Sequence, residues 1–588
     1  MQAVYNIAEI CAQHGVTDVV LSPGSRSAPL TLAFARHPAF QGRLKVVPDE
    51  RAAAFIGLGI AQATRRPVVL VCTSGSAGLN YAPAVAEAFF QQIPLVVLTA
   101  DRPPEWIDQL DGQTIRQQNL YGRHAKGAFE FPVDTAHPDA KWHAERMMNE
   151  AINLAGAYPA GPVQVNVPLR EPFYPKAGEA VRYDKDVKII QTLPTSLRAE
   201  KHQGTYYELK EARRILVVLG QQPANAKLTT AVSHFAAVFG APVIGDVIAN
   251  LSSPVPLPTY GSYYPDTSSL LPKPSAQFVG KHDVFLAGLS KSEKEALRPD
   301  ILITCGQSLV SKSLKLFLRD VAPVQHWHVQ PTGPVADTFR SLTRIIHDTP
   351  EAFFTHWAQA ALPARENLLP LQKLEAQAVT FLENFFTQPA PAFNEFSAFH
   401  LAMEALPAYT ALHLANSMAV RYANILGLPT GRQLEVFANR GTSGIDGCNS
   451  TAVGAALAQP GRPVVLLTGD VAFFYDRNAF WHNYPTPNLR VVLFNNHGGG
   501  IFRLIDGPRQ QPELEEFFET RQLLTAENTA RDFHLRYFPV SSFDELKAAL
   551  PVFFAAETGA AILEVFTDSK TNAAFFEEYR AAVKTAFA

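Results

Sequence analysis

The stretch RPVVLLTGDVAFFYDRNAFWHNYPTPNLRVVLFNNHGGG, residues 462–500, decides the fold. Its two runs PVVLL and RVVLF are short, continuously apolar and rich in branched side chains. Runs of this kind are strands buried on both faces, which requires a parallel sheet with helices above and below. The intervening AFFYDRNAFWHNY predicts a crossover helix. A right-handed crossover brings the ends of both strands to one edge of the sheet. Ligands of open α/β sheets bind at the carboxyl ends of strands, so Gly469-Asp470 and Asn495-Asn496 mark the edge to examine. Either dipeptide alone reads as an ordinary turn after a strand. Together, with a crossover between them, they are more specific. Asp470 and Asn496 offer a carboxylate and an amide oxygen to one cation, and the carbonyl of Gly498 a third ligand. Such an oxygen set suits Mg²⁺, which also keeps phosphate oxygens. The N–H groups of the helix opening at Asp470 suit a diphosphate.

The same rhythm recurs outward from this stretch. TDVVLSPGS, LKVVP, RPVVLVCTSGSAG and IPLVVLTADRP read as strands in the first third, separated by the helical patterns APLTLAFARH, ERAAAFIGLGIAQAT and NYAPAVAEAFFQQ. RRILVVLG, APVIGD, DILITCG and VQHWHVQP read as strands in the middle, and QLEVFANRG and AAILEVFTD in the last third. The expected organisation is three parallel-sheet α/β domains: residues 1–180, a polar linker at 181–210, a central domain at 211–350, a helical connector at 351–390 and a last domain at 391–588.

Composition agrees. A chain of 588 residues exceeds the roughly 250–300 at which single cores stop growing. With 47% hydrophobic and 18% charged residues, it is not a disordered chain. A net charge of -3 gives no global reason to expect a nucleic-acid or anionic-membrane partner. Cys11, Cys72, Cys305 and Cys448 are too scattered for a zinc ribbon or a disulfide framework. The N-terminus lacks the pattern of a signal peptide, and no apolar run reaches the roughly 18 residues of a membrane span. A cytoplasmic protein is expected.

Further words sit at strand ends and helix starts: SPGSRSAPL (22–30), PDERAAAF (48–55), CTSGSAGLNYAPAVAEA (72–88), TADRPPE (99–105), GQTIRQ (112–117), NRGTSGIDG (439–447) and NNHGGGIF (495–502). The Gly-Asp…Asn-Asn pair resembles the metal–diphosphate motif of thiamine-diphosphate enzymes, with Val471 where that motif usually has glycine. The full set, in order along nearly the whole chain, resembles the 2-succinyl-5-enolpyruvyl-6-hydroxy-3-cyclohexene-1-carboxylate synthases of menaquinone biosynthesis. That family tolerates a non-glycine residue at Val471.

The resemblance implies a pyrimidine-binding first domain, a central domain and a diphosphate-binding last domain. It implies thiamine diphosphate and Mg²⁺ (or Mn²⁺) as cofactors, and 2-oxoglutarate and isochorismate as substrates. The first is decarboxylated, and its succinyl-semialdehyde carbanion adds to the second in a Stetter-like conjugate addition. Glu50 takes the role of the acid at N1′ of the aminopyrimidine. Ile445 matches the apolar wedge that bends the cofactor. Gly469, Asp470, Asn496 and Gly498 match the diphosphate and metal site. Ser417, Arg421 and Arg440 match the 2-oxoglutarate side. Ser25, Arg26, Arg102, Gln113 and Lys312 match the isochorismate side, and Phe502 the apolar wall. Arginine suits such dianions because its planar fork binds carboxylate bidentately and stays charged. The family also implies a homodimer or homotetramer with active sites shared between subunits.

Two positions depart from the family pattern: Ser313 stands where a second cation often follows the lysine, and Gly112 where an asparagine sometimes precedes the glutamine. The polar stretch RLIDGPRQQPELEEFFETRQ (503–522) reads as a mobile cover. Two other readings use the same fold: an acetolactate-synthase-like 2-oxoacid decarboxylase or carboligase, and a non-catalytic binding member. A nicotinamide-dependent dehydrogenase is disfavoured, because no G-x-G-x-x-G follows a strand with an acid about 20 residues on. No motif calls for a nucleotide in the central domain.

Overall fold

The structure is a computed structural model that describes residues 1–176, 179–192, 203–251, 277–359, 369–388 and 390–588. Three six-stranded sheets, parallel throughout, follow one another along the chain. The first contains β1 (Asp18–Leu21), β2 (Leu44–Val46), β3 (Val68–Cys72), β4 (Leu95–Asp101), β5 (Ala128–Glu130) and β6 (Val163–Pro168), in the order β2-β1-β3-β4-β6-β5. The second contains β7 (Ile215–Leu219), β8 (Val243–Gly245), β9 (Phe278–Val279), β10 (Ile301–Cys305), β11 (Gln325–Gln330) and β12 (Arg344–His347), in the order β12-β11-β10-β7-β8-β9. The third contains β13 (Ala411–Leu414), β14 (Glu435–Phe437), β15 (Val464–Gly469), β16 (Leu489–Asn495), β17 (Arg536–Val540) and β18 (Ala561–Phe566). Its order, β14-β13-β15-β16-β18-β17, repeats that of the first sheet strand for strand.

The apolar runs form strands because they are buried on both faces: β3, β4 and β16 have every residue buried. The strands with no distinctive run in the sequence are the short or polar ones. β5 and β12 are partly exposed edge strands, and β6 carries buried Gln164 and Asn166. The crossover from β15 to β16 is shorter than expected. The helix ends at Tyr475 after six residues, and a 3-10 turn at Arg477–Phe480 completes the return. The linker expected at 181–210 is partly fastened to the first domain: Tyr183 Oη donates to the Ala33 carbonyl, and Asp184 accepts from Asn6 Nδ2 and Lys141 Nζ. It ends in a helix, Gln203–Glu211, while 193–202 lie outside the described residues. The connector expected at 351–390 contains helices Pro350–Ala358 and Leu371–Thr387; 360–368 and 389 lie outside the described residues. Among the described residues no helix is long and apolar enough to cross a membrane.

The first and third domains pack through helices Glu50–Thr64 and Cys448–Ala458. Both are lined with alanine and glycine, so their backbones meet. A Cβ at Gly59 would lie 2.1 Å from the Thr451 carbonyl oxygen, and one at Gly454 2.2 Å from that of Ile56. This contact fixes the start of the first helix against the third domain. Asp49 accepts from Asn478 Nδ2 at 2.8 Å, and the Arg51 guanidinium donates to the Tyr475 carbonyl at 2.7 Å.

Candidate active site

The edge that the two runs predicted is built as expected. β15 pairs with β16, so Asp470 and Asn496 follow neighbouring strands. Asp470 is buried; Oδ1 accepts from the Val471 N–H at 2.8 Å and Oδ2 from Gln522 Nε2 at 2.9 Å. Burial pushes its carboxyl up to about 6, and the donors of Gln522, Val471 and Gly498 pull it part of the way back. Asn496 gives its Nδ2 to Glu395 Oε2 at 2.7 Å, and its buried Oδ1 has no partner. Glu395, on helix Glu395–Glu404, is itself buried, and its carboxyl is pushed up to about 7 by burial, with Asp470 adding to the rise. The Gly498 carbonyl accepts from the Gly500 N–H at 2.9 Å, which leaves it a second lone pair. The loop is tight there: a Cβ at Gly498 would lie 2.8 Å from the Glu519 carbonyl oxygen.

These donors suit a hard divalent cation. A buried amide oxygen without a partner is costly, and a cation satisfies it. Asp470 and Glu395, buried close enough that the one raises the other's carboxyl, would both gain from a cation placed there. Among the described residues, here included, no three His, Cys, Asp or Glu side chains gather in a manner that could hold a metal, so the oxygens here are one carboxylate, an amide and a carbonyl.

Glu50 is the first residue of its helix, whose N-cap Asp49 accepts the Ala52 N–H. Its Oε2 accepts from Asn80 Nδ2 at 3.2 Å. Ile445 is half-buried and packs on the core shared by the second and third domains. Phe502 lies in the turn Gly500–Arg503, its ring 5.9 Å from that of Phe518.

The cations form two sets. Arg26 and Arg102 follow β1 and β4 of the first domain; burial, and then the nearby Arg102, hold the Arg26 guanidinium below its ordinary range. Arg26 is buried; it donates to the Leu169 carbonyl at 2.9 Å and lies over the Phe173 ring. Arg102 pairs with Asp111 at 2.9 Å and donates to the Gly112 carbonyl, with a buried Nε left unpartnered. Ser25 and Gln113 are exposed beside them. Gln113 has a φ of 53°, and Gln117 of the same loop accepts the Gly75 N–H at 2.8 Å, locking the Gly/Ser turn after β3.

The second set is on the third domain. Arg421 donates to the carbonyl of Ser417, whose φ of 73° opens helix Met418–Leu426. Arg440 donates to Asn416 Oδ1 at 2.8 Å, and its Nε is buried and unpartnered. Burial, more than Arg421, holds the Arg440 guanidinium below its ordinary range. Lys312 is exposed at the first position of helix Lys312–Val321 of the central domain. One helical turn on, Lys315 sits within electrostatic reach of Arg440 and Arg421, its Nζ donating to the Leu309 carbonyl at 3.1 Å. Spacing of 3 along a helix places Lys315 on the same face as Lys312, and that signal was available in the sequence.

The expected cover, 503–522, is folded onto the Asn496–Gly500 loop. Arg503 pairs with Glu515 and Glu519, Glu519 accepts from Ser569 Oγ, and its carbonyl accepts the Gly499 N–H at 2.8 Å. Sequence reasoning missed Glu395, Gln522 and Lys315. Each is a common polar residue outside the motif words.

Residues 1–121 match the family model described as the thiamine pyrophosphate enzyme N-terminal TPP binding domain, and residues 422–565 the C-terminal TPP binding domain. The benzoylformate decarboxylase of Polynucleobacter necessarius shares the fold with a TM-score of 0.68 at 17% identity, covering 97% of this chain and 99% of that one. The 2-succinyl-5-enolpyruvyl-6-hydroxy-3-cyclohexene-1-carboxylate synthase of Flavobacterium johnsoniae is 36% identical, covering 98% of this chain and 97% of its own. The enzyme of that name from Cytophaga hutchinsonii is 44% identical over 588 residues, 100% of both chains. On the full-length match, the strand-end motifs and the sheet order, this chain belongs to the 2-succinyl-5-enolpyruvyl-6-hydroxy-3-cyclohexene-1-carboxylate synthase family of thiamine-diphosphate enzymes.

Proposed function

We propose that this chain decarboxylates 2-oxoglutarate and joins the four-carbon fragment to isochorismate, with thiamine diphosphate and Mg²⁺ (or Mn²⁺) as cofactors. The unpartnered Asn496 Oδ1 beside buried Asp470 carries the reading: it is an oxygen site that a cation completes. When bound, thiamine diphosphate supplies the nucleophile for the 2-oxo carbon and the sink for the electrons that CO₂ leaves behind. Asp470, Asn496 and the Gly498 carbonyl would hold the metal, and Gly469 would let the diphosphate approach the backbone. Ile445 would pack against the cofactor. Glu50 holds a proton at the aminopyrimidine N1′.

Arg421 and Arg440, with Ser417, hold the carboxylates of 2-oxoglutarate. Arg26 and Arg102, with Ser25, Gln113 and Lys312, hold isochorismate, and Phe502 shields the reacting face from water. The two cation sets lie on different domains, Arg26 and Arg102 following strands of the first sheet and Arg421 and Arg440 lying among the elements of the third. A homodimer or homotetramer in which the first domain of one subunit faces the third of another unites them, and we place the enzyme in the cytoplasm. The test mixes purified protein with thiamine diphosphate, Mg²⁺, 2-oxoglutarate and isochorismate. Loss of isochorismate absorbance that requires every component supports the reading. Release of CO₂ from 2-oxoglutarate with isochorismate untouched would leave a simple decarboxylase.

A further inference from the structure

Glu87 lies on helix Ala82–Gln91 of the first domain and is buried. Its carboxylate reaches out of that domain into the third. Oε1 accepts the Gly441 N–H at 2.8 Å and Gln91 Nε2 at 2.5 Å. Oε2 accepts the Thr442 N–H at 2.6 Å and Thr442 Oγ1 at 2.5 Å. The approach is close enough to exclude a side chain, since a Cβ at Gly441 would lie 2.7 Å from the Glu87 carbonyl oxygen. Gly441 and Thr442 directly follow Arg440. The same loop is held from the central domain, where Ser308 Oγ donates to the Arg440 carbonyl at 3.1 Å and Gln221 Nε2 to the Ala438 carbonyl at 2.9 Å. Burying a carboxylate is costly unless its lone pairs are filled, and three of the four bonds that fill these come from one short loop, the fourth from Gln91 on the same helix. The loop carries one cation, Arg440, whose guanidinium keeps an unpartnered Nε. Glu87 also favours the charged form of that guanidinium, against burial and Arg421.

We infer that Glu87 is a positioning residue for Arg440: it clamps the 440–442 loop from a different domain and presets the guanidinium for a substrate carboxylate. This rests on the assignment of Arg440 to 2-oxoglutarate. It makes the geometry of the 2-oxoglutarate pocket depend on the seam between the first and third domains of one chain. A side chain that merely joined the domains would have no selective effect on one substrate.

The experiment is a double-mutant cycle of Glu87→Gln and Arg440→Gln, with the KM of each substrate and kcat measured separately and folding followed by circular dichroism. Glu87→Gln keeps the shape but turns one acceptor into a donor facing N–H groups. The expected result is a rise of about tenfold in the KM for 2-oxoglutarate, with the KM for isochorismate within about twofold of the parent. In the Arg440→Gln background the same change should have little further effect. Thr442→Val, which deletes only the hydroxyl donor, should shift the same KM by a smaller factor, and it serves if Glu87→Gln does not fold. Parallel changes in both KM values, or full additivity in the cycle, would overturn the inference. An Arg440→Gln enzyme with an unchanged KM for 2-oxoglutarate would instead overturn the assignment of Arg440.

Discussion

Asn496 and Glu395 are joined by a 2.7 Å hydrogen bond that uses the amide nitrogen of Asn496 and leaves its oxygen free. The bond thereby sets which end of the amide faces the site. Turning Asn496 over would set its oxygen against an oxygen of Glu395. Partners that orient a metal ligand are worth about 10- to 100-fold in affinity when removed. Glu395→Ala should therefore raise the Mg²⁺ concentration needed for half-maximal cofactor binding by roughly that factor, read by calorimetry. Glu395→Gln, whose carbonyl can accept the same bond, should lose much less.

Glu50→Gln should abolish proton transfer while sparing binding. General acid–base groups contribute on the order of 10²–10⁴-fold. The variant should lose turnover by about that factor and still bind thiamine diphosphate with Mg²⁺. An active Glu50→Gln enzyme would remove the residue from the mechanism.

The two cation sets should separate in kinetics. A hydrogen bond to a charged group contributes about 1.5–3 kcal/mol, or roughly 10- to 100-fold. Arg440→Gln should weaken 2-oxoglutarate by that factor and leave isochorismate nearly unchanged. Arg102→Gln should do the reverse, measured as the two KM values in the same assay.

Asp476 should give the folded protein a measurable pH dependence. It is fully buried beneath helix Cys448–Ala458, where it accepts from the N–H and Oγ of Ser450, at 2.7 and 2.8 Å respectively. Burial pushes its carboxyl up to about 7. In the unfolded chain it ionises near pH 4. Between these values the folded state holds the proton and the unfolded state does not, so this group's contribution to stability falls as pH rises from about 4 to about 7. Asp476→Asn removes the titration. Its stability to urea should change less than the parent's between roughly pH 5 and pH 8.

Much of the architecture was legible because it rests on local patterns. Continuous Val and Leu runs mean buried parallel strands, and Asp470 and Asn496 had to lie at one sheet edge once β15 and β16 were read as neighbours. Polar and edge strands such as β5, β6 and β12 escaped, since neither alternation nor a long apolar run marks them. The motif words contain Arg26, Arg102 and Arg440, and Arg26 and Arg102 each follow a strand; Arg421, inside helix Met418–Leu426, came from the family resemblance alone.

What the sequence by itself determined, then, is the set of three α/β units and the chemistry at their strand ends. Only the tertiary structure decided which side chains complete those ends. Glu395, Gln522, Glu87 and Lys315 come from distant segments or adjoining domains, and no local pattern says which site each one reaches. The bonds of Glu87 to Gly441 and Thr442 cross the seam where helices Glu50–Thr64 and Cys448–Ala458 close on each other through Gly59 and Gly454. That closeness is a property of two backbones meeting, and a single run of residues carries no record of it.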